Sequence, residues 1–128
     1  MRLLLDTHAL LWALAEDERF GPGMRTRLED LENEVLVSVV SLWEIAIKIR
    51  LRKLQAHLEE IVTACTQQEF TLLGIDPAHL RELAKLPTHH RDPFDHLLMA
   101  QAIVEGASFV SDDRYASTYP VTLLRCGA

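Results

Sequence analysis

Cysteine is scarce: Cys65 and Cys126 are the two in 128 residues. They show no close metal-ligand spacing and are too few for a disulfide framework, which excludes a stapled scaffold and makes a reducing, cytoplasmic setting the expectation. A basic excess is missing too. Thirteen Lys and Arg stand against nineteen Asp and Glu, for a formal net charge of -6, which excludes a protein that coats nucleic acid through bulk charge. An enzyme acting on nucleic acid through metal ions stays open, because acidic ligands would supply part of that negative count. Long hydrophobic runs are lacking as well. The start, Arg2 to Ala15, resembles a signal peptide only faintly, since Asp6 and His8 interrupt it and leave seven unbroken apolar residues from Ala9 to Ala15. No run approaches the roughly 18 apolar residues that cross a bilayer, so no membrane partner is expected.

What is present is a globular composition, 48% apolar and 25% charged, able to build a real core. The length points to one domain over residues 1–128. Leu3 to Leu5 reads as a strand ending at Asp6-Thr7, followed by helical spacing from Leu10 through Leu14. Gly21-Pro22-Gly23 breaks the pattern before a short charged helix, Met24 to Glu32. Val35 to Val40 reads as a strand apolar on both faces, as a parallel strand covered by helices would be. Ser41 is expected to open a helix to about Leu51, and a further helix runs from about Leu58 to Gln68. Phe70 to Ile75 is a third strand, and Asp76-Pro77 caps a helix to Leu86. Asp92-Pro93 starts a helix stopped by Gly106. Ser108–Ser111 and Val121–Leu124 complete the strands, with a helical turn at Asp113 to Ala116 between them. No internal repeat or low-complexity segment is visible. Strands alternating with helices predict an α/β fold, three layers with a central parallel sheet of four to five strands.

Acids fall at particular places in this pattern. Asp6 follows the first strand, Glu44 lies in the first turn after the second, Asp113 follows the fourth, and Asp95 opens the helix leading into the fourth. The carboxyl ends of parallel strands share one edge, where ligands bind at a switch in strand order, so these acids should converge. Each has a simpler explanation. Ser41-Leu-Trp-Glu44 fits a capping box, Asp92-Pro-Phe-Asp95 fits an Asp cap with an acid in the first turn, and Asp6 and Asp113 fit N-caps. As a group they demand more, since gathered carboxylates repel unless a cation neutralises them. Oxygen ligands without a Cys or His cluster favour Mg²⁺ or Mn²⁺, and such a site activates water for attack on phosphorus.

The runs Leu3-Leu-Leu-Asp6-Thr7-His8-Ala-Leu-Leu-Trp12, Ser38-Val-Val-Ser-Leu-Trp-Glu44-Ile-Ala-Ile-Lys48, His90-Arg-Asp92-Pro-Phe-Asp95-His-Leu-Leu-Met-Ala-Gln-Ala102 and Phe109-Val-Ser-Asp-Asp113 resemble PIN-domain proteins. The nearest likeness is to VapC toxins of toxin–antitoxin pairs, over nearly the whole chain. The resemblance implies a compact α/β/α ribonuclease, Mg²⁺-dependent (Mn²⁺ as the alternative), usually dimeric and cutting RNA internally. It implies metal-binding, catalytic acids at Asp6, Glu44, Asp95 and Asp113, with Thr7 and Ser111 as hydroxyl residues orienting carboxylates or a metal water. Asp92 competes with Asp95, and the pattern selects the acid directly before the apolar helix run, leaving Asp92 as cap. Asp112 competes with Asp113, and the hydroxyl-x-Asp spacing from Ser111 favours the latter. A cognate antitoxin is also implied, its C-terminal segment lying across the toxin, often alongside a DNA-binding domain.

Lys48, Arg50, Arg52 and Lys53 form the densest basic stretch, with Arg91 and Arg114 beside the expected ligands. Lys48, Arg91 and Arg114 are candidate contacts to the RNA backbone. A solvated helix end is the simpler account of the basic stretch, and Lys48 can pair instead with Glu44 one turn away. The six histidines are scattered apart from His89-His90, so surface or loop roles are expected rather than a zinc site. Trp12 and Trp43 are expected in the core or at a dimer contact. Two rivals remain: a haloacid-dehalogenase-type phosphatase with Asp6 as nucleophile, which wants an Asp where His8 stands, and a non-catalytic interaction domain whose acids only cap helices. Thermal melting separates a metal site from caps: Mg²⁺ should raise the melting temperature of the wild type, and Asp6→Asn or Asp95→Asn should abolish that rise.

Overall fold

The computed structural model describes residues 1–128, and its order is β1 (Arg2–Leu5), α1 (Thr7–Leu14), α2 (Pro22–Glu29), β2 (Glu34–Ser38), α3 (Val39–Arg50), α4 (Leu58–Gln67), β3 (Thr71–Leu73), α5 (Pro77–Leu83), α6 (Pro93–Glu105), β4 (Ser108–Val110), a 3₁₀ turn (Ala116–Thr118) and β5 (Leu123–Leu124). The strands form one sheet ordered β3-β2-β1-β4-β5. Every pairing is parallel, with Leu4 opposite Leu36 on one side and Phe109 on the other. Helices cover both faces, which makes three layers, as expected, with five strands.

The pleat of β1 explains the layering. Leu3 and Leu5 point into one core with Val37 of the neighbouring β2 and with Ala9, Leu10, Met24, Ile45 and Ile61, supplied by α1, α2, α3 and α4. Leu4 points the other way, into a second core with Leu36, Leu98, Met99 and Phe109, against α6. A central strand buried on both faces therefore reads as an unbroken apolar run. Gly21 and Gly23 serve close approach: a Cβ on Gly23 would sit 2.5 Å from the Ala128 carbonyl oxygen, and one on Gly21 2.7 Å from that of Gly127. The backbone bonds Gly21 N to Cys126 O and Met24 N to Ala128 O follow from that contact.

The chain leaves β2 earlier than expected. Val39 and Val40 are helical, and the N-cap of α3 is Ser38, whose hydroxyl accepts from Val40 N at 3.0 Å. The expected capping box from Ser41 to Glu44 is not formed. Strand preference of two valines lost to a capping hydroxyl placed just before them, and the Ser38 hydroxyl also donates to Gln101 Oε1 at 2.6 Å, pinning α3 to α6. Other ends shift by a few residues: β3 and β5 are shorter than their apolar runs, α2 stops at Glu29 and α5 at Leu83. No helix is long and apolar enough to cross a membrane.

Leu4 is fully buried in the middle strand, so Leu4→Ala should lower unfolding free energy by about 2–5 kcal/mol through lost burial and a residual cavity. Urea titration checks this: the midpoint should fall while the slope stays unchanged.

Candidate metal centre

The strand order places a switch between β1 and β4. After β1 the chain moves outward through β2 and β3, then returns across β1 to β4 and β5. Crevices for ligands open at the carboxyl ends of strands at such a point. Asp6 stands directly after β1 and Ser111 directly after β4.

Each acid is held by local structure. Asp6 is the N-cap of α1, its Oδ1 accepting from Ala9 N at 2.7 Å. Asp113 turns the chain after β4, its Oδ1 accepting from Tyr115 N at 2.7 Å, while its own amide donates to Ser111 Oγ at 3.0 Å. Asp92 caps α6, accepting from Phe94 N and Asp95 N. Asp112 turns away and accepts from Cys126 N at 2.8 Å. Glu44 and Asp95 cap nothing. Glu44 sits in the second turn of α3, 7% exposed, accepting from the Thr7 hydroxyl at 2.6 Å on Oε1 and facing Lys48 Nζ at 3.0 Å on Oε2. Asp95 has Oδ2 3.4 Å from His90 Nε2.

Electrostatics tie the set together. Burial is the first cause pushing the Asp95 carboxyl up to about 8, and the charges of Asp92, Asp113, Asp6 and Glu44 push in the same direction. Burial also raises Asp6, against hydrogen bonds from Ser111 and the Ala9 amide that favour its charge. The charges of Asp6, Glu44 and Asp113 thus all reach Asp95 from α1, α3 and the loop after β4, and Asp6 and Glu44 are themselves buried. His90, Asp95 and Asp113 come closer still, each offering a ligand atom within 4.8 Å of the others. The donor set fits a hard divalent cation: carboxylate oxygens dominate, gathered where their mutual repulsion wants a positive charge.

Other candidates fall as follows. Thr7 bridges Glu44 and Ser41, and Ser111 is fully buried between Asp6 and Asp113. Lys48 is paired with Glu44 rather than free. Arg91 and Arg114 are exposed, and Arg114 lies over the Tyr115 ring, donating to its hydroxyl. Trp12 packs against the core as expected, but Trp43 is 54% exposed beside Glu44, edge-on to Phe94. Trp43 lies off the buried face of α3 that Val40, Ser41, Glu44 and Ile45 form. His8 is exposed and stacks on Trp12. His90 is the residue the sequence reading missed. It lies in an aperiodic segment, and what seats it, Tyr119, comes from 29 positions further on. An apolar groove of about 440 Å³ between α1 and α4, with Leu11, Leu14, Leu54 and Ile61 on its walls, contains none of these acids.

Residues 3–120 match the PIN domain family. The chain belongs to that family, whose nucleases use divalent metal ions. It resembles VapC-type members in particular: it is 29% identical over 129 residues to Ribonuclease VapC22 of Mycobacterium tuberculosis, covering 94% of this chain and 97% of that relative. Its fold is similar to a crystal structure of VapBC2 from Rickettsia felis bound to a DNA fragment from their promoter, with TM-score 0.74 and 18% identity over 98% of each chain.

Since Asp95 in the folded protein holds its proton far more tightly than an unfolded Asp near 3.9, neutral Asp95 stabilises the metal-free fold fully below about pH 4. That contribution is lost as pH rises through about 8. In EDTA the wild type should therefore lose melting temperature between about pH 5 and 9 relative to Asp95→Asn, and parallel curves for the two proteins would contradict the assignment.

Proposed function

We propose that the chain is a Mg²⁺-dependent endoribonuclease and the toxin of a toxin–antitoxin pair, with Asp6, Glu44, Asp95 and Asp113 as the acids that hold the cation. The observation that carries this reading is the meeting of these four carboxylates at the switch between β1 and β4. Capping accounts for Asp6, Asp92 and the turn at Asp113, but Glu44 and Asp95 cap nothing. An interaction domain whose acids serve only as caps would not need them there. The phosphatase reading gains no support from His8, which is exposed and stacked on Trp12.

When bound, a divalent cation supplies Lewis-acid activation of water and offsets charge on the phosphate and its leaving oxygen. The chain's own residues do the rest. The Ala9 and Tyr115 amides fix one oxygen of Asp6 and of Asp113, so both carboxylates are oriented before any ligand arrives. Thr7 fixes Glu44. Lys48 balances the Glu44 charge at rest, and once released from Oε2 its ammonium stands at the cleft for a backbone phosphate. Arg91 and Arg114 are exposed in the chain beside Asp95 and Asp113, which supports them as contacts to the RNA backbone. The relatives' names support a cognate antitoxin as partner, and a homodimer, with antitoxin in larger assemblies, completes the proposal, which places the protein in the cytoplasm.

Incubation of a structured RNA pool with purified protein tests this. Internal cuts should appear with Mg²⁺ or Mn²⁺, vanish in EDTA, and drop by more than about 100-fold in Asp6→Asn and Asp95→Asn proteins that melt as folded chains. Cleavage by Asp6→Asn at the wild-type rate would sink the assignment.

A further inference from the structure

We propose that Tyr119 and His90 brace Asp95, with His90 serving as a hydrogen-bond donor to the Asp95 carboxyl group through Nε2–H and not as a metal ligand. This rests on the metal-site reading above and assigns two further positioning residues to it.

The argument is one of donors and acceptors. Tyr119 follows the 3₁₀ turn and is 5% exposed. Its hydroxyl oxygen lies 2.9 Å from His89 N, 3.2 Å from His90 N, 2.8 Å from His90 Nδ1 and 3.2 Å from His96 Nε2. A phenol oxygen accepts two hydrogen bonds and donates one. The two backbone amides only donate, so they fill its acceptor positions, and the phenolic proton goes to an imidazole nitrogen. His90 Nδ1 is the nearer of the two. Nδ1 is then an acceptor, and the His90 tautomer that fits this geometry has its proton on Nε2. That proton faces Asp95 Oδ2 at 3.4 Å.

A nitrogen whose lone pair is taken by a proton does not coordinate a cation. The approach of His90 to Asp95 and Asp113 is therefore that of a donor, although distance alone would also suit a ligand. The bond ties Oδ2, while Oδ1 carries no hydrogen bond of its own. Its length marks it as weak in itself, so its value is orientation. The imidazole has little freedom to turn: its side chain is 8% exposed, it stacks on Tyr115 with centroids 5.0 Å apart, and it meets His96 edge-on at 4.7 Å. Tyr115 also donates its amide to Asp113, so one aromatic box positions acids from α6 and from the loop after β4.

Nitrogen-15 NMR of the histidine rings, paired with Mg²⁺ calorimetry, tests the brace. In the metal-free wild type, His90 should show protonated Nε2 and unprotonated Nδ1, a pattern that persists when Mg²⁺ is added. Tyr119→Phe should shift the His90 tautomer ratio. His90→Ala should weaken Mg²⁺ binding by about 10–100-fold, and His90→Gln, whose amide nitrogen can take the Nε2 position, should recover most of it. An Nδ1–H tautomer in the wild type, loss of the Nε2 proton on adding Mg²⁺, or wild-type Mg²⁺ affinity in His90→Ala would each overturn the proposal. Failure of the wild type to bind Mg²⁺ would instead overturn the metal-site reading, and the metal-free tautomer would still decide the brace.

Discussion

Carboxylates crowded out of water repel each other, and the rest of this structure is arranged around that constraint. A domain of this size is stable by only about 5–15 kcal/mol, so a fold that gathers Asp6, Glu44, Asp95 and Asp113 must hold each in place by other means. It does so with short hydrogen bonds, local from Ala9 N to Asp6 and from Tyr115 N to Asp113, and long-range from Thr7 to Glu44. Proton uptake on Asp95 and the ammonium of Lys48 relieve part of the repulsion. The two apolar cores on either side of β1 supply the stability that such a centre costs.

The supports are polar links across the layers, not only packing. Ser38 caps α3 and reaches Gln101 in α6, and the Gln101 amide nitrogen continues to the Gly74 carbonyl after β3. Thr7 joins the start of α1 to α3 through Glu44 and Ser41. These links are buried, apart from the half-buried bond to Gly74, and complete, since no buried side-chain polar atom lacks a partner. In a low-dielectric interior a satisfied network fixes geometry, whereas an apolar contact would allow the helix starts to slide.

The acids at the strand ends were legible because they follow apolar runs that could only be strands, and strand-helix alternation then dictates a common edge. Asp92 and Gly106 were legible as the ends of α6 because Asp before Pro and a left-handed glycine have local chemistry behind them. The start of α3 was not. Ser38 and Ser41 are equally good caps on paper, and the choice between them was made by Gln101, 63 residues away. His90 was invisible for a similar reason: its neighbours Tyr115 and Tyr119 reach it only once β4 has paired with β1. Periodicity reports on elements, while contacts between distant loops are decided by topology.

The switch in strand order has a temporal side. Asp6 and Glu44 emerge early in synthesis, yet the region they share with Asp95 and Asp113 closes only when β4 is laid against β1 and the turn beyond it has formed. The pairing is among the longest-range in the chain, which makes it a slow event in folding. A partly made polypeptide therefore carries every early acid without the assembled cluster, and whatever chemistry the cluster performs begins only after residue 113 has left the ribosome.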